Sequence, residues 1–224
     1  MTARVGVVLF PGSNCEHDVV EAVEGLGAGA DIVWHGNNAL PDVDAVVLPG
    51  GFAHGDYLRP GAVARFSPVM SAVGDFAARG GAVVGICNGF QVLTEAGLLP
   101  GALQKNSGLK FLCTMVSVRV ETANSVLTSA AENGQVLRIP INHFEGNYTC
   151  PAQTLAELRD QDRVVLRYVD NPNGSTDSIA GVCNEGRNVV GLMPHPERAS
   201  DSLLGSEDGL VLLRSLLASV PALR

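Results

Sequence analysis

The sequence is poor in positive charge and in long apolar runs. It contains 15 lysine and arginine residues against 23 aspartate and glutamate residues, for a formal net charge of −8, and its only lysines are Lys105 and Lys110. Without a basic run to neutralise phosphates, the chain is not expected to bind nucleic acid or an anionic membrane. No apolar stretch approaches the length of a membrane-spanning helix. No G-x-x-x-x-G-K-[ST] motif for binding ATP phosphates is present either.

Cysteine pairs and metal-ligand spacings are also missing. The cysteines are an odd number and lack a C-x-x-C motif, and the five histidines lack the spacing of metal ligands. We therefore expect reduced thiols and no metal site. Residues 1–12 contain an apolar run that is too short for a signal peptide, so a cytoplasmic location is expected. The five cysteines are Cys15, Cys87, Cys113, Cys150 and Cys183.

A cysteine flanked by glycines stands in the segment GAVVGICNGFQVLTEAGLL, at positions 81–99. The apolar start of this segment predicts a buried strand, and apolar residues at helical spacing predict a helix that begins near Asn88. Gly85 and Gly89 lie two residues before and two residues after Cys87, which is the G-x-nucleophile-x-G layout of a nucleophile elbow. A helix N-terminus behind the cysteine favours the reactive thiolate. A buried structural cysteine is the alternative interpretation.

Strands and helices alternate along the chain. This alternation predicts an α/β fold with a doubly wound, mostly parallel sheet and an antiparallel portion in the second half. No linker, repeat or low-complexity tract interrupts the sequence, so residues 1–224 are interpreted as a single domain. Ser13 or Asn14 is expected to cap the first helix. The predicted strands are 5–10, 30–34, 45–48, 82–86, 112–121, 136–141, 164–168, 179–183 and 189–193, and further helices are expected at 63–78 and 209–220.

Two further motifs follow predicted strands. His195 and Glu197 lie two apart in an extended PHPE segment, so their side chains point the same way and the carboxylate can hold the imidazole in one tautomer. Gly50 and Gly51 can supply a backbone amide for an oxyanion, with the Asn88 amide as the second donor. Taken alone, a proline-rich surface turn and a simple glycine turn are alternative interpretations of these motifs.

The conjunction of these motifs resembles the class I (triad) glutamine amidotransferases, which have a flavodoxin-like fold. The segments PGSNCEHD, LPGGFAHGDYLRPGAVA, GICNGFQVLTEAGLLPGAL, INHFEGNY, NPNGS and GLMPHPER are similar to those of one family within that class. This family comprises the glutaminase subunits of phosphoribosylformylglycinamidine synthase. The resemblance runs from residue 5 to about residue 198.

The resemblance implies a role for each matching residue. It places the nucleophile at Cys87 and completes a catalytic triad with His195 and Glu197. It assigns the oxyanion hole to the backbone amides of Gly51 and Asn88, and it implies no metal. The residues that it assigns to substrate binding are Gly51, Phe52, Asn88, Gln91, His143 and Phe144.

The resemblance also implies a reaction and partners. Glutamine would be hydrolysed through a glutamyl thioester, and the ammonia would pass to a synthetase that aminates formylglycinamide ribonucleotide in de novo purine biosynthesis. No cofactor is implied in this chain, whereas ATP and Mg²⁺ are expected on the large synthetase subunit, with a small third subunit in the same complex. Docking is expected at residues 54–60 and 143–148, where it would turn the Gly50–Gly51 peptide towards the substrate oxygen.

Other hypotheses remain open at this point. A free-standing cysteine amidase or peptidase with the same elbow would act without a partner. A non-catalytic scaffold subunit, or a redox-sensing thiol protein, would also retain the fold. A glutaminase assay with and without a synthetase separates these hypotheses.

Overall fold

A nine-stranded mixed sheet and five α-helices organise the part of the chain that the computed structural model describes, residues 2–220. The strands are β1 (Arg4–Leu9), β2 (Gly29–Trp34), β3 (Ala45–Leu48), β4 (Ala82–Ile86), β5 (Ala102–Gln104), β6 (Leu112–Val120), β7 (Val136–His143), β8 (Asn147–Thr149), β9 (Val164–Tyr168), β10 (Ile179–Cys183) and β11 (Val189–Leu192). The helices are α1 (Glu16–Gly25), α2 (Val69–Ala78), α3 (Asn88–Glu95), α4 (Ala152–Asp160) and α5 (Gly209–Ser219).

The first half of the chain forms the parallel part of the sheet, as predicted. Strand order across the large sheet is β2-β1-β3-β4-β11-β10-β9-β6-β7, and each neighbouring pair from β2 to β11 is parallel. Strands β3 and β4 are buried at every position, because helices on both faces exclude water from a doubly wound sheet. The chain leaves β1 for β2 on one side and reaches β3 on the other, which creates a topological switch point at their carboxyl ends.

The second half contains an antiparallel portion, also as predicted. Strand β10 pairs antiparallel with both β11 and β9, and β6 pairs antiparallel with both β9 and β7. Strands β5 and β8 form a separate two-stranded antiparallel sheet. Because β11 runs parallel to β4, the chain emerges from both strands at the same edge as from β1 and β3. Four chain segments therefore meet at one edge.

Two local predictions are wrong. The helix expected at 63–78 begins only at Val69, after a short 3₁₀ turn at Ala64–Phe66. Ser67 is extended (φ −61°, ψ 140°), since the residue before a proline is driven out of the helical region, and Pro68 then starts the new helix. Neither Ser13 nor Asn14 caps α1, whose N-cap is Cys15, without a side-chain cap bond.

Several short elements were not predicted. Helix α4 buries only Leu158, and strands β5 and β8 have three residues each, so none of them leaves a clear periodic pattern in the sequence. The final helix begins at Gly209, as expected. No helix among residues 2–220 combines the length and apolar character needed to cross a membrane.

Candidate active site

Cys87 occupies a strained turn between β4 and α3. Its backbone has φ 50° and ψ −105°, a conformation that non-glycine residues seldom adopt and that tends to occur at functional sites. Gly85 permits the turn because a Cβ there would lie 2.6 Å from the carbonyl oxygen of Gly89. The amide of Cys87 donates to the Leu192 carbonyl at 2.8 Å, which fixes the turn against β11. The predicted elbow is therefore present.

Gly89→Ala is expected to destabilise the chain. A Cβ at residue 89 would lie 1.9 Å from the backbone carbonyl oxygen of Leu48, so α3 or β3 has to shift. We expect the free energy of unfolding to fall by about 1–3 kcal/mol, the usual range for overpacking. Denaturant unfolding provides the measurement.

Gly74→Ala in the interior of α2 is the matched control for this substitution. A Cβ at Gly74 meets nothing within 4 Å, so alanine should stabilise the helix by up to about 1 kcal/mol. Equal effects of the two substitutions would contradict the steric account of the elbow.

His195 and Glu197 form a buried pair beyond the end of β11. Nδ1 of His195 donates to Oε1 of Glu197 at 2.6 Å, and both residues are only 1% exposed. The His195 amide donates to the Pro140 carbonyl at 2.9 Å, which ties this segment to β7. Nε2 of His195 has no hydrogen-bond partner among residues 2–220. With Nδ1 committed to the carboxylate, Nε2 is the nitrogen left for chemistry.

The charge around His195 favours the imidazolium. Burial lowers the pKa of His195, but the Glu197 carboxylate and, after it, Cys87 raise the pKa by more than burial lowers it. The pKa of His195 therefore ends well above its ordinary value. The thiol of Cys87 itself donates a long bond of 3.7 Å to the Asn142 carbonyl. A cationic imidazole beside a cysteine is the arrangement that activates a thiol nucleophile.

A backbone bridge orients the Gly51 amide. Ser13, after β1, pairs with Gly51 in an antiparallel bridge, in which the Gly50 carbonyl accepts from Asn14 and the Phe52 amide donates to Gly12. Ser13 and Gly51 are the non-hydrogen-bonded pair of this bridge, so the Gly51 N–H is not used by the segment that follows β1. The expected turning of the Gly50–Gly51 peptide on docking stays a prediction. A positive φ of 142° at Gly51 suits glycine here.

A cavity of about 320 Å³ opens beside Cys87. Asp56 lies on the wall of this cavity. Burial raises the pKa of the Asp56 carboxyl to about 6; a hydrogen bond from Asn88 lowers that pKa in part, and the charge of Glu145 raises it. Such a volume suits a small ligand. The residues expected at the active site that line this cavity are Gly51, Phe52, Cys87, Gln91, His143 and Phe144.

Asn88 and Gln91 support the cavity through their side chains. Nδ2 of Asn88 donates to Oε1 of Gln91 at 2.8 Å and to Asp56 at 3.0 Å, while its Oδ1 accepts from the Ala53 amide at 2.9 Å. The Gln91 amide group donates in turn to the Glu145 carbonyl. Asn88 is 2% exposed, and its side chain thus acts beneath the cavity wall.

His143 is held as a neutral imidazole. Nδ1 contacts Oδ1 of Asn106 at 3.1 Å, and because the Asn106 amide nitrogen already donates to two carbonyls, the histidine nitrogen is the donor. Burial, and then the charge of His195, lower the pKa of His143 to about 4. Its Nε2 is an acceptor without a partner among residues 2–220, and the residue lines the cavity.

Comparisons with known proteins agree with this geometry. The model of the CobB/CobQ-like glutamine amidotransferase domain matches residues 2–207. The phosphoribosylformylglycinamidine synthase subunit PurQ of Rubrobacter xylanophilus is 61% identical over 215 residues, which are 96% of this chain and 98% of the relative. The subunit of the same name from Koribacter versatilis is 54% identical over 228 residues, covering 97% of this chain and 98% of the relative. This chain belongs to the PurQ family of glutamine amidotransferases.

Solved structures resemble the chain over almost its whole length. A chain from the structure of PurLQS from Thermotoga maritima has a TM-score of 0.90 and 46% identity, and the match covers 97% of this chain and 99% of that one. Another glutamine amidotransferase from Thermotoga maritima has a TM-score of 0.61 at 15% identity, with 97% of each chain covered. At that identity, the second match shows the shared fold alone. The predicted fold and the predicted relationship to the PurQ family are confirmed.

Several site residues of this PurQ-family chain were missed by the sequence analysis. Cys15 and Arg198 lie against the His195–Glu197 pair, and Asp56 and Asn106 hold the cavity wall. A signal for Cys15 exists, because the PGSNC segment follows β1 and therefore reaches the same sheet edge as Cys87. The other contacts depend on loops whose course the sequence pattern does not reveal.

Donor atoms of Cys15, His195 and Glu197 lie within 4.8 Å of one another, close enough to share a metal ion. The guanidinium of Arg198 donates to the Cys15 sulfur at 3.2 Å, however, and Glu197 already holds Nδ1 of His195. The positive charge of the guanidinium, which lies against the sulfur, opposes the binding of a cation at these atoms.

Proposed function

We propose that this chain is the glutaminase subunit of phosphoribosylformylglycinamidine synthase. The observation that carries the proposal is the strained elbow at Cys87, which lies on the wall of a cavity sized for a small substrate and beside the buried His195–Glu197 pair. Members of the PurQ family carry the name of this synthase.

In the first half-reaction, Cys87 attacks the side-chain amide carbon of glutamine, and its proton resides on His195. The amide oxygen becomes an oxyanion, which accepts hydrogen bonds from the Gly51 and Asn88 backbone amides. Nε2 of His195 then donates its proton to the leaving nitrogen, the carbon–nitrogen bond breaks, and ammonia departs. A glutamyl thioester remains on Cys87.

In the second half-reaction, water replaces ammonia. Neutral His195 takes a proton from the water, the hydroxide attacks the thioester carbon, and the same oxyanion donors serve again. Collapse of the intermediate breaks the carbon–sulfur bond and releases glutamate. Glu197 holds the imidazole in one orientation throughout and stabilises it whenever it is protonated, and Glu197 does not itself take up the proton.

The proposal assigns the ATP chemistry to partner chains. We propose a large synthetase subunit that carries ATP and Mg²⁺, and a small third subunit in the same complex, with residues 1–224 acting as one glutamine amidotransferase domain without a cofactor of its own. A cytoplasmic location is part of the proposal. The relative from the structure of PurLQS supports assembly with partner chains.

The test compares glutamine with free ammonia as the nitrogen source. A synthetase and small subunit without this chain should aminate formylglycinamide ribonucleotide with ammonia alone. After addition of the full-length chain, glutamine should support the same reaction, with one glutamate released per product. A chain that hydrolyses many unrelated amides, and never allows the synthetase to use glutamine, would favour a free-standing hydrolase instead.

A further inference from the structure

The thiol of Cys15 lies beside the proposed triad without being part of its chemistry. Cys15 precedes α1 and is 1% exposed, and its amide donates to the Gly50 carbonyl at 3.3 Å. Its sulfur lies within 4.8 Å of donor atoms of both His195 and Glu197. The thiol donates to Oδ1 of Asn14 at 3.1 Å, which leaves the sulfur lone pairs for another donor.

Arg198 supplies that donor. Its Nη2 donates to the Cys15 sulfur at 3.2 Å, and its Nε donates to Oδ2 of Asp18, within α1, at 2.9 Å. Arg198 directly follows Glu197, in the 3₁₀ turn Pro196–Arg198. Residues Cys15, Asp18 and Arg198, here named the α1 link, thus connect the start of the first helix to the segment that carries the catalytic carboxylate.

The α1 link also brings a positive charge close to a carboxylate that has little other support. Oε1 of Glu197 accepts from His195, but Oε2 is buried and has no hydrogen-bond partner among residues 2–220. A buried carboxylate is costly unless an opposite charge compensates it. Burial lowers the pKa of Arg198, yet the Cys15 sulfur and the carboxylates of Asp18 and Glu197 raise it overall, so the charge of Arg198 is retained.

We propose that Cys15 and Arg198 are positioning residues: through them, helix α1 holds the His195–Glu197 pair in place opposite Cys87 and keeps a positive charge beside it. The inference rests on the proposed function for its catalytic meaning. Its geometry is independent of that function.

A charge effect distinguishes this role from simple packing. The titratable and charged groups that face His195 are Glu197 on its own segment, Cys87 from the elbow, the neutral His143 from β7, Cys15 before α1 and, behind Cys15, Arg198. Removing the Arg198 charge makes proton loss from either member of the Cys87–His195 pair less favourable. Every pH midpoint that reports on this pair should then move upward.

The experiment measures alkylation of Cys87 by iodoacetamide as a function of pH, in the full-length chain, with the labelled peptide quantified by mass spectrometry. We expect Arg198→Met to raise the midpoint by about half a pH unit or more. Arg198→Lys, which keeps the charge, should shift it by less than half as much. Cys15→Ala, which removes the acceptor of Arg198, should also raise the midpoint. Cys15→Ser keeps an acceptor atom at this position and should therefore have the wild-type midpoint.

Matched controls are available elsewhere in the chain. Arg187→Met removes an arginine whose guanidinium, within residues 2–220, donates to the backbone carbonyls of Asn124, Gln161 and Asp162, and Cys183→Ala removes a buried thiol from β10. Neither should move the Cys87 midpoint. In the reconstituted complex, Arg198→Met should lower kcat for glutamine-dependent synthesis about 10-fold, with KM within about 2-fold, and leave the ammonia-dependent rate unchanged.

Folded Arg198→Met and Cys15→Ala variants with the wild-type midpoint would overturn the inference. Should Arg198→Met fail to fold, Arg198→Gln retains a polar side chain and removes the same charge, and an unchanged midpoint there overturns the inference equally. Slow alkylation of wild-type Cys87, no different from that of an exposed thiol such as Cys113, would contradict the proposed function itself and remove the basis of this inference with it.

Discussion

Replacement of Cys87 by alanine is expected to abolish glutamine hydrolysis while the chain remains folded. No other side chain on the cavity wall can form the thioester, so the rate of glutamate release should fall by at least about 10⁴-fold, as for other nucleophiles in triads. Alanine has the same Cβ as cysteine and thus meets the same backbone strain at φ 50°. Thermal unfolding should therefore resemble the wild type, and the complex should still use ammonia.

The control for this result is a second buried cysteine. Cys183→Ala, within β10, should retain glutaminase activity because its sulfur lies outside the cavity. A glutamine analogue with an electrophilic group should label Cys87 and spare Cys15, Cys113, Cys150 and Cys183. Substantial activity in Cys87→Ala, or labelling spread over all five cysteines, would contradict the assignment of the nucleophile.

The large sheet was predictable because its strands coincide with short apolar, β-branched runs in the sequence. Buried β-branched runs such as Ala45–Leu48 and Ala82–Ile86 leave no competing interpretation once glycines follow them. Helix α4 left no such record, since a helix that buries only Leu158 has no apolar stripe. Pro68 indicates that α2 begins there, because the residue before a proline is driven out of the helical region. The apolar pattern continues through Pro68, however, and therefore favoured a longer helix.

The triad was predictable for a different reason. Residue spacing within one segment defines both the elbow around Cys87 and the pairing of His195 with Glu197, and the strand ends bring the two segments together. By contrast, the contact between Arg198 and Cys15 joins residues 183 positions apart. No local pattern encodes such a contact, so only the folded chain reveals it.

The expectation that a docked partner turns the Gly50–Gly51 peptide stays a prediction. The Gly50 carbonyl accepts from the amides of Asn14 and Cys15 at 3.4 and 3.3 Å, so turning this peptide would break both hydrogen bonds. The loop at 54–58 is a second candidate for a change on docking, because His54, Asp56 and Leu58 all have positive φ values.

Substitutions at His195 and Glu197 should have different effects, because the two residues have different tasks. His195→Ala removes the proton carrier of both half-reactions and should lower the rate of glutamate release by about 10⁴-fold or more. Glu197→Gln keeps the shape of the side chain and loses only its charge. Because that charge raises the pKa of His195 against the effect of burial, the pKa should fall in the variant, and the imidazolium should be lost at neutral pH. We expect a smaller loss, about 10²–10³-fold at neutral pH, that is partly recovered as the pH is lowered.

The measurement is a pH profile of kcat/KM for glutamine in the reconstituted complex, with Glu185→Gln as the control. Glu185 is an exposed carboxylate whose side chain is 83% accessible, so its profile should match the wild type. A Glu197→Gln variant as inactive as Cys87→Ala at every pH would mean that the carboxylate takes a direct part in proton transfer. An unchanged pH profile in Glu197→Gln would mean that its charge does not govern the imidazole, and that the pair in the structure serves only to hold the ring.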